Sequence, residues 1–136
     1  MAESPEQADQ PQQGQSPFRR DENFEALYAN NVQMFPTEWD LRIVFGELDV
    51  DPETNNQFVM QHTSIALPWL QAKLGLYFLM LQLGVYEITH GKIKLPASLI
   101  PPEATPPTGD LANDPAAQQL YEFIKNTREQ FLKTAT

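Results

Sequence analysis

The chain contains no cysteine, which excludes disulfides, thiolate metal sites and a cysteine nucleophile. Its two histidines alone fall short of the usual ligand set of a zinc site. Glycine is also scarce, and none of the six glycines stands in a GxGxxG or GxxxxGK pattern that would cradle a phosphate group. Ser64 and Ser98 lie in no G-x-S-x-G turn. The sequence therefore predicts no catalytic residue, no cofactor and no metal, and we expect a protein that is not an enzyme.

Basic residues are few, with 9 lysines and arginines against 18 acidic residues and a net charge of −9. Such a field repels phosphate backbones, so we expect no nucleic-acid partner. An acidic cluster stands out, and we interpret it as a solvated edge, with docking of a basic partner or use in an enzyme as the alternatives. Its members are Glu38, Asp40, Glu47, Asp49, Asp51 and Glu53.

Part of this acidic cluster resembles the start of a calcium-binding loop, because acidic and amide side chains alternate from Asp49 to Asn55. The match then fails. The sixth position, which requires glycine, is Thr54, and the twelfth, which requires glutamate, is Met60. We interpret the segment as an acidic surface turn.

Composition divides the chain into four parts. Residues 1–23 are rich in Gln, Pro and Ser and are predicted to be a disordered tail without the apolar core of a signal peptide, so the cytoplasm is the expected location. Residues 24–100 are predicted to form an α+β core domain. Residues 101–113 continue a proline-rich strap, and residues 114–136 hold a C-terminal amphipathic helix that begins at an Asp114 N-cap.

Three strands are predicted in the core domain, over residues 29–35, 39–48 and 57–66. The second is the clearest, because Trp39, Leu41, Ile43 and Phe45 alternate with more polar residues, as in a strand with one buried face. Pro36 supplies turn chemistry between the first two strands. We expect an antiparallel sheet of about three strands, packed on one long apolar helix.

That helix is predicted over residues 68–89, with Pro68 in its first turn and Gly91 just beyond its end. At about 100° per residue its apolar side chains form two opposite faces. Leu70, Leu74, Tyr77, Leu81, Val85 and Ile88 form the first face; Trp69, Ala72, Leu76, Leu79, Leu83 and Tyr86 form the second face. Two thin polar seams separate them, Gln71 with Gln82 and Lys73 with Glu87.

A helix with two apolar faces must be buried on both. We do not expect this helix to span a membrane. Its longest run without strongly polar residues is 74–81, which is far shorter than the roughly 20 residues that a bilayer requires. A small core also leaves apolar surface that association can cover. We therefore predict a dimer or larger homo-oligomer; the alternative cover is the chain's own last helix. The predicted interface residues are Trp69, Leu76, Leu79, Leu83 and Tyr86.

Several short motifs resemble a small prokaryotic family known as domain of unknown function 3467. They are YAN at Tyr28–Asn30, TEWDLRIVFG at Thr37–Gly46, and the ending in which Tyr86-Glu87 is followed by His90-Gly91-Lys92-Ile93. The resemblance covers about residues 28–93 and implies the same order of strands and helix. The leucine-rich helix, the strap and the last helix depart from the family pattern. The family has no assigned activity, so no site is carried over.

The order of elements also resembles the export chaperone SecB, in which strands precede a long apolar helix, a proline-bearing strap and a last helix. That resemblance implies an acidic tetramer that holds unfolded chains in apolar grooves. Our first hypothesis is a non-enzymatic homo-oligomeric adaptor or scaffold, whose partners are its own copies or another protein and whose chemistry requires no cofactor. A SecB-like chaperone is the second hypothesis, and an enzyme that uses the acidic cluster is the third.

Overall fold

The structure, a computed structural model, describes residues 18–135, so most of the predicted tail lies outside the described residues. Three strands form an antiparallel sheet in the order β1-β2-β3, and two long helices follow, which confirms the α+β class. The elements are β1 (Asn31–Pro36), β2 (Asp40–Val50), β3 (Gln57–Pro68), α1 (Trp69–His90), two 3₁₀ turns (Ala97–Leu99 and Gly109–Asn113) and α2 (Pro115–Ala135).

The chain divides into two compact units. Among the described residues, the first consists of residues 18–36 and Arg42–Ala66, and it holds most of the sheet. The second consists of Thr37–Leu41 and residues 67–135, and it holds both helices with the strap between them. Within residues 18–135, Ala135 is the only hydrophobic residue that is buried. Neither unit therefore presents a closed hydrophobic core.

Thr37 closes the turn between β1 and β2. Its amide donates to the Asp40 carbonyl oxygen at 2.8 Å, and its hydroxyl oxygen accepts from the amides of Trp39 and Asp40 at 3.2 and 3.0 Å. These bonds hold Trp39 in the turn, where its side chain is 79% exposed. The alternation pattern wrongly placed Trp39 on a buried face of β2, because the Thr37 turn delays the strand until Asp40.

The middle strand approaches β3 closely at Gly46, which is buried. A Cβ atom at this position would lie 2.7 Å from the Met60 carbonyl oxygen, so only glycine fits without a shift of the strands. The outer strands also contact each other across β2, since the side-chain amide of Gln61 donates to Gln33 Oε1 at 2.8 Å. At Gly46, β2 and β3 are therefore too close for a side chain.

The loop between β2 and β3 is organised by Asp51. Its amide donates to the Asn56 carbonyl oxygen at 2.9 Å, and Asn55 adopts a φ of 58°, a conformation that asparagine tolerates. The Asp51 carboxylate accepts from the amides of Glu53 and Thr54 at 2.8 and 3.2 Å. These backbone hydrogen bonds lower the pKa of Asp51 below its ordinary value, and the bond from the Glu53 amide has the largest effect. The carboxylate therefore acts as the cap of a turn.

Replacement of Asp51 by alanine is expected to speed hydrogen exchange at the amides of Glu53 and Thr54. Because the folded pKa of Asp51 is lowered, its contribution is present above the ordinary pKa of 3.8 and is lost as pH falls through the folded value. The Glu53→Ala variant is the control, since it removes a neighbouring carboxylate and keeps the Glu53 amide. Equal acceleration in both variants would contradict the capping role of Asp51.

Helix α1 follows β3 directly, and Pro68 is the last residue of the strand rather than the first of the helix. At the other end, Gly91 has a φ of 92° and its amide donates to the Glu87 carbonyl oxygen at 2.9 Å. The predicted glycine stop is thus confirmed. A side-chain oxygen of Glu87 also accepts from the Ile93 amide at 3.1 Å, which starts the strap in a defined direction.

The strap runs antiparallel to α2 along one side of that helix. The Leu95 amide donates to the Ala135 carbonyl oxygen at 3.0 Å, and Arg128 Nε donates to the Pro101 carbonyl oxygen at 2.8 Å. The predicted N-cap is also confirmed, since Asp114 Oδ1 accepts from the Ala116 amide at 3.1 Å. The strap and α2 therefore form one hydrogen-bonded arm of the second unit.

Candidate protein interface

Apolar side chains surround α1, and none of its residues is buried. Its large hydrophobic residues are between 45% and 86% exposed. A helix that is apolar all round is normally buried all round, so this surface is the most conspicuous unpaired feature of the described chain. The exposed set is Trp69, Leu70, Leu74, Leu76, Tyr77, Phe78, Leu79, Met80, Leu81, Leu83, Val85, Tyr86 and Ile88.

The five predicted interface residues all lie on α1, and their helical spacing places them on its second face. Leu76 and Leu79 are 57% exposed, Leu83 and Trp69 are 45% exposed, and Tyr86 is 50% exposed. From Trp69 to Tyr86 the line follows the helix for about 25 Å, at the usual rise of 1.5 Å per residue. This length is sufficient for a helix-to-helix contact over four to five turns, a count that follows from about 3.6 residues per turn.

Polar and stacking contacts hold the aromatic residues at both ends of the second face. At the start of α1, Trp69 Nε1 donates to the Thr37 carbonyl oxygen at 3.2 Å, which satisfies the only polar atom of the indole. At the end, the rings of Tyr86 and His90 stack with centroids 4.4 Å apart and planes inclined by 14°. Both aromatic rings are thus presented to solvent in defined orientations.

The chain's own last helix does not cover α1. Within the second unit, α2 packs on the 3₁₀ turn Gly109–Asn113 and on the strap, and no comparable packing joins α1 and α2 in the described chain. The sequence left two ways to bury the second face, against the chain's own α2 or against another copy. The structure does not show the first of these. Both faces of α1 stay open within the second unit.

Helix α2 carries a second exposed apolar stripe that sequence reasoning did not separate. The sequence predicts only that this helix is amphipathic. In the structure, Ala117, Tyr121 and Arg128 are half-buried on the side of the strap, and Arg128 reaches the strap through its Nε atom. Four large apolar residues of α2 nevertheless stay exposed: Leu120 by 59%, Phe123 by 67%, Ile124 by 46% and Phe131 by 44%. The route of the proline strap decides this division, and no local pattern reveals that route.

A shallow recess of about 160 Å³ lies between the strap and α2. Its wall includes both acidic and basic groups, with contributions from Glu103, Tyr121, Lys125, Arg128 and Glu129. Sites that enclose a drug-sized ligand usually measure roughly 300–1,000 Å³. The recess is therefore too small for a ligand of that size.

His62 has a structural role in the first unit. Its Nε2 atom lies 2.9 Å from the Tyr28 carbonyl oxygen, which can only accept, so Nε2 carries a proton in this contact. Nδ1 lies 2.8 Å from the Thr63 hydroxyl oxygen. The histidine therefore ties the segment before β1 to β3. Within residues 18–135, no group of three or more histidine or acidic side chains is arranged to hold a metal ion.

No helix in the described part of the chain has both the length and the apolarity needed to cross a bilayer. No protein-family model, no curated protein and no solved structure matches this chain.

Proposed function

We propose that this protein is a non-enzymatic, cytoplasmic protein-interaction module that self-associates through the second face of α1 and serves as an adaptor or scaffold. The observation that carries the proposal is the exposure of α1 on all sides, together with the lack of extensive packing between α1 and α2 within the described residues. Exposed apolar surface of this extent on a helix is typical of an interface that is buried in an assembly.

The charges beside the second face favour a second copy of α1 in antiparallel orientation. Lys73 lies four residues after the start of α1 and Glu87 lies three residues before its end, and both occupy the same seam. When two antiparallel helices pack through the same face, the residues along one edge of that face lie beside the same edge in the other copy. A residue near the start of one helix then lies beside a residue near the end of the other. Lys73 of one copy then lies beside Glu87 of the other, and the twofold axis repeats the pair. A parallel pairing would leave both charges without a partner.

Exchange of these two charges tests the proposal. The variants Lys73→Glu and Glu87→Lys each place like charges side by side twice in an antiparallel pair, and should raise the dissociation constant about tenfold, a typical size for two exposed ion pairs. The double variant restores both pairs and should return the wild-type dissociation constant in sedimentation equilibrium. A monomeric wild-type protein at micromolar concentration, or a double variant weaker than either single variant, would overturn this arrangement.

The exposed stripe of α2 favours a second candidate function, that of a chaperone for unfolded apolar segments. It remains open even when α1 is paired, and Phe123 is its most exposed residue at 67%. A chaperone should suppress the aggregation of an unfolded protein at substoichiometric amounts of oligomer, whereas an adaptor should have no effect. Phe123→Ser should weaken this suppression without changing the oligomer.

A further inference from the structure

The outer edge of β3 is free of backbone partners. In the sheet order β1-β2-β3, the strand β3 pairs with β2 on one side only. No other backbone hydrogen bond in the described chain reaches residues 57–68. This edge is also long, with 12 residues against six in β1.

The register of β2 with β3 shows which backbone groups point outward. At the loop, the Asp51 amide donates to the Asn56 carbonyl oxygen, so Asn56 faces β2. Further along, a Cβ atom on Gly46 would lie 3.1 Å from the Gln61 Cα atom, so these two residues oppose each other in the same register. Because hydrogen-bonding directions alternate along an antiparallel strand, the even-numbered residues of β3 point their amides at β2. The odd-numbered residues point theirs outward: Gln57, Val59, Gln61, Thr63, Ile65 and Leu67.

This edge lacks the features by which proteins prevent strand addition. Natural edge strands are kept short, carry lysine or other charges, or contain proline. Strand β1 is short and ends in Pro36, whereas β3 contains no charged residue and no proline before its last position. The run from Thr54 to Ala72 is the longest stretch of the chain without Asp, Glu, Lys or Arg.

We propose that the β3 edge binds β3 of a second copy in antiparallel orientation, which joins two sheets into one of six strands. In a chain of net charge −9, copies repel each other wherever acidic residues meet, and β3 offers a full strand where no like charges come together. Full overlap about a twofold axis pairs Gln61 of one copy with Thr63 of the other, and all six outward residues find partners. Five of the six outward residues, all but Leu67, lie in the first unit, and the contact does not depend on the pairing of α1.

Hydrogen exchange of the full-length protein tests this pairing without any mutation. In the assembly, the amides of the odd-numbered residues of β3 should exchange at least about tenfold more slowly than in a monomer, in which they face water. Dilution should speed their exchange, while the amides of the even-numbered residues stay protected by β2. Fast exchange at Gln61, Thr63 and Ile65 at every concentration would overturn the proposal.

Two substitutions at one position strengthen the test. Thr63→Pro removes an outward donor but none that β2 uses, so the sheet should persist while the pairing between copies is lost. If proline prevents folding, Thr63→Lys introduces a charge close to its equivalent in the second copy and should also abolish the protection. The control is Ser64→Pro, which removes a donor to β2 and should destabilise the sheet itself. Retention of odd-residue protection in folded Thr63→Lys would contradict the proposed edge contact.

The remaining outcomes also decide the matter. Protection of the odd-numbered amides that does not change on dilution would mean that a segment of the same chain covers the edge, and would refute the second copy. The Lys73→Glu variant distinguishes this contact from that of α1: it should weaken the α1 interface and leave the β3 protection unchanged when measured at high protein concentration. Mixed samples of differently labelled protein should show contacts between Gln61 and Thr63 across copies.

Discussion

Replacement of Leu83 by aspartate is expected to dissociate the α1 interface while leaving the helix formed. In the oligomer the new carboxylate is buried in an apolar contact without a partner, which typically costs roughly 3–5 kcal/mol. The dissociation constant should therefore rise about a thousandfold, since each 1.4 kcal/mol is about a factor of ten. In the monomer Leu83 is already 45% exposed, so the aspartate finds water and the helix loses only its small difference in helix propensity.

The adjacent residue provides the control for this experiment. Gln82→Asp adds the same charge one position earlier, about 100° around the helix and in the polar seam between the two faces. It should leave the dissociation constant within roughly threefold of wild type, as expected for an exposed substitution. Sedimentation velocity gives the assembly state, and far-ultraviolet circular dichroism gives the helix content. Equal dissociation in both variants would mean that charge alone, rather than the second face, controls assembly.

Features that depend on neighbouring residues in the sequence were predicted correctly. The Gly91 stop and the Asp114 cap are confirmed because each depends on a few adjacent backbone groups. The turn after Pro36 is confirmed for the same reason, although the sequence did not show that Thr37 would hold Trp39 outside the strand. Caps and turns can thus be predicted from a few adjacent residues. The residue at which a strand begins also depends on which amides a nearby hydroxyl group, here that of Thr37, accepts from.

Features that depend on distant parts of the chain were not predictable. The course of the strap divides the apolar residues of α2 into a covered side with Tyr121 and an open side with Phe123, and the strap meets α2 through pairs such as Pro101 and Arg128. The edge position of β3 follows from the order of strands in the sheet, which the alternation pattern does not encode. The helix α1 itself was predicted from its sequence, whereas the role of its second face as an interface stays a prediction.

Replacement of Gly46 by alanine is expected to be the most damaging small substitution in the first unit. The added methyl group would lie 2.7 Å from the Met60 carbonyl oxygen and 2.7 Å from Val59 Cγ1. The Val59 side chain can rotate away, but the Met60 carbonyl belongs to the backbone of β3, so relief requires that β2 and β3 move apart. Overpacking of this kind costs typically 1–3 kcal/mol. The melting temperature should therefore fall by about 10 °C, at a fixed protein concentration because assembly is coupled to stability.

Gly84→Ala is the matched control, since no atom outside its own helix lies within 4 Å of the added methyl group. It should stabilise α1 by up to about 1 kcal/mol, the usual difference between alanine and glycine in a helix. The comparison also bears on the β3 edge, because Gly46 opposes Gln61 at this close approach. If Gly46→Ala were as stable as wild type, β2 and β3 would not approach each other as closely at Gly46 as the structure shows.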